Sequence, residues 1–363
     1  MNNKLLSALV LLLATSFAVA QGIQFENDTW AKVKAKAKAE NKHIFVDIYT
    51  TWCRPCVWQS KKIFPQKKVG DFFNQHFVSF KLDGEKEEGI NLVKKYRVAG
   101  YPTLLYFNPN GELVHKTTNA SSAKVLLSDA KRALNPKSQI YALQDRFEKG
   151  ERGEVFLKQY LEDLYNAYED TSEPADAYLA LLGKEKWTTA KGWAIIRKYV
   201  RTSSSPAFKY LLANKAKFDK VTKRKKAVTK YIKRVFTWDM QEAIQAKDKQ
   251  QLASFRKEFK QALSKEADKH IARVANKRNS FAWKYYKKYD DAKSLKRALV
   301  WAEESVDFLR ASFNTNTQAH LLFKLKHYQE AKQVAEASIE LAKKAKQNPK
   351  ETEALLAKIN AKL

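Results

Sequence analysis

Both cysteines of the 363-residue chain lie in one short stretch, Thr50–Cys56, whose sequence is TTWCRPC. Cys53 and Cys56 are three residues apart, a spacing found in redox dithiols, in halves of metal sites and in small structural loops. A zinc or iron–sulfur site needs about three or four protein ligands, and the histidines of this chain are scattered. A disulfide across so short a loop removes little entropy from the unfolded chain. The spacing therefore favours a redox dithiol over an inert structural disulfide or a metal site shared between two chains.

The residues on either side of the cysteines predict a junction between a strand and a helix. Ile44–Tyr49 is apolar and β-branched, whereas Val57–Phe64 has the period of a helix. Pro55 suits the first turn of a helix, where its missing N–H is not needed. Cys53 would then lie at the helix N-terminus, where backbone amides and the helix dipole stabilise the reactive thiolate. Arg54 adds a positive charge beside it.

The first twenty residues have the features of a secretory signal peptide. Lys4 supplies a positive charge, an apolar run follows, and Ala18-Val19-Ala20 ends the segment with a small-x-small cleavage pattern. The apolar run is shorter than the roughly 18 residues that a membrane span needs. We therefore expect residues 1–20 to be removed and the mature protein to be exported, either to a periplasm or out of the cell.

Glycine and proline divide the chain into two regions. Residues 1–136 contain six of the ten glycines and five of the eight prolines. Three short β-rich runs in this region alternate with helical patterns: His43–Tyr49, Phe77–Leu82 and Thr103–Phe107. Strands that alternate with helices indicate an α/β sheet. We therefore predict an α/β domain over residues 21–136, with a boundary at Asn135–Lys137.

The remainder of the chain, residues 137–363, has helical periodicity almost throughout, which predicts an all-α domain. The segment WAEESVDFL at Trp301–Leu309 matches VAEASIELA at Val334–Ala342 with an offset of 33 residues. This offset is close to the roughly 34-residue period of tetratricopeptide repeats, which the region 276–345 resembles. Stacked helix pairs of this kind form concave surfaces that bind peptides or proteins.

The chain is strongly basic, with 68 lysines and arginines, 39 acidic residues and a net charge of +29. Such a composition often indicates nucleic-acid binding, but the predicted export signal argues against a nucleic-acid partner. Lysine-rich helix faces in contact with water are the simplest explanation. Binding to an anionic surface of the cell envelope, such as lipid head groups, is a second explanation.

Residues 25–118 resemble a thioredoxin domain, because several features of that family occur in order and at the expected separations. They are the tryptophan of the family motif WCxxC, a buried acid in the preceding strand, a lysine in a later strand, the cis-proline loop and a turn before the last strands. In this sequence these features are Trp52, Asp47, Lys81, Gly100–Thr103 and Asn110–Glu112. The run from Pro65 to Thr103 is similar to exported thioredoxin-like proteins, such as the periplasmic C-terminal domain of the transmembrane disulfide-interchange reductase.

The resemblance implies a catalytic sequence at the dithiol. Cys53, expected to be the more exposed sulfur, would attack a client disulfide and form a mixed disulfide. Cys56 would then attack the Cys53 sulfur and release the reduced client. Asp47, whose burial raises its pKa, would accept the proton of Cys56, and Lys81 would modulate that acid. No metal and no cofactor takes part in this scheme.

The resemblance also implies a client-binding loop. Pro102, in a cis peptide, would lack an N–H and would present the backbone of Tyr101 and Thr103 to an extended client. Trp52 would border the same surface. The Gly-Pro that is familiar between the family's cysteines is Arg-Pro here, and the lysine that often follows the second cysteine is Val57. These differences bear on client choice and on the redox potential.

We therefore predict an exported thiol–disulfide oxidoreductase in which a thioredoxin-like α/β domain precedes an α-helical domain with repeats. Its partners would be envelope proteins that carry disulfides or thiols, and a redox partner that recycles the active site. The alternative hypothesis is a helical-repeat interaction scaffold with an idle thioredoxin-like domain. The intact CxxC pair with Asp47 and Pro102 favours the enzyme, since an idle domain is expected to lose at least one of these features.

Overall fold

The computed structural model describes residues 22–118, 121–222, 224 and 226–363. The predicted signal peptide, residues 1–20, lies outside this range. The chain forms two compact units, of which the first ends at Lys184 and the second is Glu185–Leu363. The first unit contains the predicted sheet, and helices follow it to the end of the chain, which confirms the predicted fold class.

The described part of the first unit contains one mixed sheet of five strands. They are β1 Phe25–Glu26, β2 His43–Tyr49, β3 Phe77–Asp83, β4 Thr103–Phe107 and β5 Leu113–Thr118. The strand order is β1-β3-β2-β4-β5, with β3 parallel to β1 and β2, and with β4 antiparallel to both β2 and β5. All three strands predicted from the sequence are present, and β3 extends one residue further than expected.

Helices cover both faces of this sheet. They are α1 Trp30–Glu40, α2 Arg54–Lys62, α3 Lys67–His76, α4 Glu87–Lys95 and α5 Ala123–Leu134. Successive side chains of a strand point to opposite faces, so the residues of β2 divide between two cores. Ile44, Val46 and Ile48 pack with residues of α1 and α4, whereas Phe45 packs with residues of α3 and α5. Asp47, two residues after Phe45, lies on the face of α3 and α5.

The register of the strands brings distant parts of the sequence to one edge of the sheet. Parallel pairing of β2 with β3 places Asp47 opposite Lys81, and antiparallel pairing of β2 with β4 places Ile48 opposite Thr103. The chain therefore leaves β2 towards Cys53 at the same edge where it enters β4 from Pro102.

Three further helices of the first unit follow the sheet: α6 Ile140–Glu148, α7 Glu154–Asn166 and α8 Ser172–Leu182. They are joined to β5, because the Ile140 N–H donates to His115 Nδ1 at 3.3 Å and Thr118 Oγ1 donates to the Asn166 carbonyl at 2.8 Å. These contacts tie the helices to the edge strand of the sheet. The division into domains 21–136 and 137–363 stays a prediction.

Lys116 on β5 is a lysine in the interior of the first unit, with only 2% of its side chain exposed. Its Nζ donates to the carbonyls of Tyr96 and Arg97, at 3.2 and 3.1 Å, and to Glu169 Oε1 at 2.7 Å. The ammonium group thereby satisfies three acceptors, two after α4 and one between α7 and α8. A buried lysine needs such partners, since an unpaired charge in the interior is strongly unfavourable.

The described residues of the second unit form ten α-helices. They are α9 Ala190–Tyr199, α10 Pro206–Ala213, α11 Lys215–Val221, α12 Ala227–Gln245, α13 Lys249–Leu263, α14 Lys265–Lys288, α15 Ala292–Phe308, α16 Ser312–Lys324, α17 Tyr328–Lys344 and α18 Lys350–Asn360. Among the helices that the structure describes in the whole chain, none combines the length and the apolar character that crossing a membrane requires.

The two matching sequence segments lie in α15 and α17, and their buried positions repeat with the same offset of 33 residues. The small residues that are completely buried at matching places are Ala298, Ala302 and Ser305 in α15, and Ala331, Ala335 and Ser338 in α17. The sequence repeat therefore corresponds to a repeat of the helix faces that pack in the interior. Assignment to tetratricopeptide repeats stays a prediction.

The three contacts of the Lys116 ammonium predict a large effect of its removal. Lys116→Met keeps the aliphatic stem but leaves two carbonyls and Glu169 without their donor, so we expect the free energy of unfolding to fall by about 2–4 kcal/mol. Urea titration of the full chain, followed by hydrogen exchange of β5 peptides, measures this change. Lys124→Met, on an exposed site of α5, is the control and should change stability by less than about 0.5 kcal/mol. Equal effects of the two substitutions would contradict this account of Lys116.

Candidate active site

The two cysteines lie where the sequence predicts them, at the start of α2. Cys53 is the N-cap residue of this helix, and Pro55 lies in its first turn. The Cys56 N–H donates to Cys53 Sγ at 3.2 Å, as the first amides of a helix do to a capping side chain. The structure holds the oxidised form, with a Cys53–Cys56 disulfide whose Cα atoms are 5.3 Å apart.

Burial does not distinguish the two sulfurs in this form. Cys53 is 3% exposed and Cys56 is 2% exposed, although the sequence led us to expect Cys53 to be the more exposed. The disulfide holds both residues against the body of the domain. What distinguishes them is position, because only Cys53 Sγ accepts the helix amide, and negative charge is stabilised at that end of a helix. Arg54, the first residue of α2, is exposed beside it.

Asp47 is a completely buried carboxyl group on the face of the sheet that α3 and α5 cover. Within the described residues neither of its oxygens has a hydrogen-bond partner, and Lys81 Nζ lies 3.4 Å from Oδ2. Burial raises the pKa of Asp47 to about 6, and the nearby Lys81 ammonium opposes part of this rise. This group therefore exchanges a proton close to neutral pH, as a proton acceptor for a thiol must.

Lys81 connects this acid to the helix that carries the cysteines. Its Nζ donates to Ser60 Oγ on α2 at 2.6 Å, besides its ion pair with Asp47. Three aromatic rings surround the ammonium group at 4.9 to 5.4 Å: Phe25, Tyr49 and Phe64. Their faces attract the cation and shield it from water. The sequence predicts the pairing of Lys81 with Asp47, but Ser60 was not predicted.

The predicted client loop lies beside the cysteine motif. The Tyr101–Pro102 peptide is cis, and the ring of Tyr101 packs edge-on against that of Trp52 with their centroids 6.1 Å apart. Trp52 is 57% exposed, so the residue before Cys53 presents apolar surface to the solvent. The Thr103 hydroxyl is turned inward and donates to the Gly100 carbonyl at 2.7 Å. Thr103 is completely buried and pairs with Ile48 of β2 and Thr118 of β5, so its contact with a client stays a prediction.

A third segment, the turn after β3, completes this surface and was not predicted from the sequence. Trp52 Nε1 donates to Glu85 Oε2 at 3.1 Å. The ring of Tyr101 lies against Gly84, where an added Cβ would be only 2.5 Å from Tyr101 Cε1. A side chain at this glycine would therefore displace Tyr101. The glycine directly after β3, in the run LDGE, was the one available sequence signal of this close approach.

The mixed sheet and the CxxC pair at the start of α2 define a domain of thioredoxin-like fold with the dithiol motif of a thiol–disulfide oxidoreductase, as the sequence predicts. A family model described as a thioredoxin-like domain matches residues 30–130. Thioredoxin-1 of Drosophila melanogaster is 30% identical over 100 residues, which cover 26% of this chain and 86% of that protein. The chain therefore belongs to the thioredoxin family.

Larger proteins match over the same region. The protein disulfide-isomerase of Triticum aestivum is 29% identical over 114 residues, and the thiol:disulfide interchange protein DsbD of Vibrio cholerae is 35% identical over 82 residues. These matches cover 30% and 22% of this chain but only 21% and 14% of the two relatives. Among solved structures, a proposed disulphide isomerase from Bacteroides thetaiotaomicron is 44% identical, with a TM-score of 0.30, and the match covers 32% of this chain and 98% of that one.

The raised pKa of Asp47 predicts a specific pH dependence of stability. Between its ordinary pKa of 3.8 and its folded value of about 6, the folded protein keeps a proton on Asp47 that the unfolded chain has released. Stability is therefore lost as pH rises through this window. Replacing the acid by Asp47→Asn should abolish this loss, so that the stability of the variant relative to wild type increases by about 3 kcal/mol from pH 3.5 to pH 7.

Urea unfolding of both proteins at a series of pH values measures this difference. Other buried groups titrate in both proteins, so their contributions to stability cancel in the comparison. One of them is His115, because burial lowers its pKa to about 3. Asp71→Asn, at an exposed carboxylate of α3, is the control and should follow the wild-type profile. Parallel profiles for wild type and Asp47→Asn would show that Asp47 does not titrate in this window.

The position of Arg54 predicts an effect on the redox potential. Arg54→Gln removes a positive charge that favours the Cys53 thiolate and hence the reduced form, so we expect the potential to become more negative by about 10–20 mV. Equilibration with glutathione buffers measures the potential. Lys61→Gln, which removes the same charge from the last turn of α2, should shift it by less than about 5 mV. Equal shifts would mean that only the net charge of the protein matters.

Proposed function

We propose that this protein is an exported thiol–disulfide oxidoreductase that exchanges disulfides with protein clients of the cell envelope. The observation that carries this proposal is the Cys53–Cys56 disulfide at the start of α2, on a sheet that holds the buried acid Asp47. Export rests on the sequence of residues 1–20. The domain division at residues 136 and 137, and the repeats in the helical part, belong to the same proposal.

The reaction begins with the reduced protein. The Cys53 thiolate attacks one sulfur of a client disulfide, so that a bond forms between the two proteins and the client's other sulfur leaves as a thiolate. The amide of Cys56 and the N-terminus of α2 stabilise Cys53 as an anion. Arg54 adds to this effect. The product of the step is a mixed disulfide between Cys53 and the client.

The second step releases the client. Cys56 loses its proton and attacks Cys53 Sγ, and the electron pair of the mixed disulfide leaves on the client sulfur. Asp47 accepts the proton of Cys56, since above about pH 6 it is largely ionised. Lys81 helps to keep the acid ionised through its ion pair. A partner with its own dithiol then reduces the Cys53–Cys56 disulfide and restores the starting state.

The client is held beside the disulfide during both steps. Tyr101 and Pro102 form the loop at the start of β4, and Trp52 packs against Tyr101. An extended client segment adds to this loop through its backbone. The net charge of +29 favours attachment to an anionic envelope surface, and no nucleic-acid partner is part of this proposal.

Trapping of clients tests the proposal. Cys56→Ala removes the second attack but leaves the first, so we expect covalent adducts with envelope proteins that disappear on reduction. Cys53→Ala should form no adducts, and the variant that lacks both cysteines controls for non-covalent capture by the helical part. Non-reducing electrophoresis of envelope extracts detects the adducts, and a model disulfide with a thiol donor tests turnover by the wild type.

Three outcomes separate the hypotheses. No adducts with Cys56→Ala, together with no turnover by wild type, would overturn the redox function. Capture of the same proteins by the variant without cysteines would instead support a helical-repeat scaffold. Adducts that form with Cys53→Ala would reverse the order of attack assigned to the two cysteines.

A further inference from the structure

The turn between α7 and α8 lies beside the loop that leads to Tyr101 and Pro102. A Cβ placed on Gly100 would lie 4.0 Å from Tyr168 Cε2, which is ordinary van der Waals contact. The next residue of the turn, Glu169, accepts a hydrogen bond from Lys116. Two consecutive residues of this turn are thus linked to the client loop, although they lie beyond residues 30–130, which the family model matches.

Tyr168 is unusual in both its exposure and its backbone. It is 53% exposed, so the interior of the domain gains little from its ring. Its φ of 57° lies in the left-handed region, which residues with bulky side chains seldom adopt. The N–H of Glu169 donates to the Leu164 carbonyl at 2.9 Å and holds the turn in this form. The fold therefore keeps an aromatic ring at the surface on a backbone that suits asparagine or glycine better.

The ring of Tyr168 continues a strip of apolar surface that begins at the disulfide. Trp52 precedes Cys53 and is 57% exposed, and its ring packs against Tyr101. Tyr168 Cε2 lies 4.0 Å from the place that a Cβ on Gly100, the residue before Tyr101, would occupy. The strip therefore leads from Trp52, next to Cys53, through Tyr101 and Gly100 to the turn between α7 and α8.

We propose that Tyr168 binds the client, and that it favours clients with an aromatic or aliphatic side chain a few residues from the reacting cysteine. This inference rests on the proposed function, because the occupant is an extended client segment joined to Cys53. Alternate side chains of an extended chain are about 6.6 Å apart, close to the 6.1 Å between the rings of Trp52 and Tyr101. In this proposal, a segment that places one side chain at these rings brings a later side chain to Tyr168.

The chemistry of the strip agrees with such an occupant. Tyrosine and tryptophan are the residues that contribute most at binding surfaces, since each offers a large rigid ring with a polar tip. Arg97 and Asp170 are exposed and line the same pocket as Glu169, so charged residues of both signs lie beside the turn that carries Tyr168. An apolar centre with a charged margin is the usual arrangement of a surface that binds a peptide.

Variants of the full chain test this inference. Tyr168→Asn removes the ring and keeps a residue that adopts the left-handed conformation. Tyr168→Phe keeps the ring and removes only the hydroxyl. Leu181→Ala removes an apolar side chain of similar exposure, 52%, from α8 and is the matched control. Circular dichroism and urea unfolding establish that each variant is folded.

The substrates are disulfide-linked dimers of a nine-residue peptide with one cysteine. One series carries tryptophan at each of the four positions on either side of the cysteine, and the reference peptide carries serine at all of them. Glutathione disulfide serves as a small reference substrate. The measured quantity is kcat/KM for each peptide divided by kcat/KM for glutathione disulfide.

We expect the best tryptophan peptide to exceed the serine peptide with the wild type. Tyr168→Asn should lower the ratio for that peptide by about five- to tenfold. The loss should come mainly from a higher KM, because the contact is made equally in the enzyme–substrate complex and in the transition state. Tyr168→Phe should keep most of the ratio, and Leu181→Ala should match wild type. An unchanged ratio for Tyr168→Asn would overturn the inference. An equal loss of kcat/KM with the peptides and with glutathione disulfide would also overturn the inference. Tyr168 would then stabilise the structure of the active site and would not bind the client.

A second measurement does not depend on the folding of Tyr168→Asn. A photo-reactive benzoylphenylalanine at position 168, in the Cys56→Ala protein, should crosslink to a peptide trapped on Cys53, whereas the same group at position 181 should not. Absence of the crosslink at position 168 would contradict the inference. A wild-type protein that reduces neither the peptides nor glutathione disulfide would overturn the proposed function itself.

Discussion

The active-site side of this domain depends on one unfavourable burial, that of the Asp47 carboxyl group within the sheet. A lone carboxylate without hydrogen bonds in such a place would be strongly destabilising. The register of β2 with β3 sets Lys81 opposite the acid, and Lys81 in turn reaches Ser60 on the helix of the cysteines. One ammonium group thus connects two strands and α2. As a result, the Asp47 carboxyl group is partly ionised and partly protonated near pH 6.

The second constraint is the geometry of the sheet edge. The chain leaves β2 for Cys53 where it enters β4 from Pro102, although about fifty residues separate the two points in sequence. Trp52, Tyr101 and Glu85 then join the three loops of this edge through ring contact and a hydrogen bond. The helices after the sheet reach the same loops through Lys116 and Tyr168. Residues from β5 and from the turn after α7 therefore lie beside the loop that leads to Pro102.

The sequence was sufficient for features that depend on local pattern. The apolar, β-branched run of β2 predicts the strand, and Pro55 predicts the start of the helix after Cys53. The order of the family's motifs predicts the pair of Asp47 with Lys81. The sequence did not predict the burial of Lys116, because a lysine in an edge strand is normally exposed to water. Only the later helices enclose this side chain. Tyr168 and Glu85 were missed for the same reason, since their contacts join segments without shared periodicity. The near-equal burial of Cys53 and Cys56 reflects packing around the disulfide, which no motif encodes.

The burial of both sulfurs also bears on kinetics. Cys53 and Cys56 are exposed by only 3% and 2%, so another protein can meet the disulfide only at the small part of these residues that faces the solvent. In the proposed function, a client and a recycling partner would meet this small surface in turn, and no complex of all three proteins would form at the disulfide. Turnover of this kind is of the ping-pong type, in which a large excess of one partner inhibits the reaction with the other. The ratio of the two partners would then set the fraction of the protein that is oxidised, and the flux would depend on the concentrations of both.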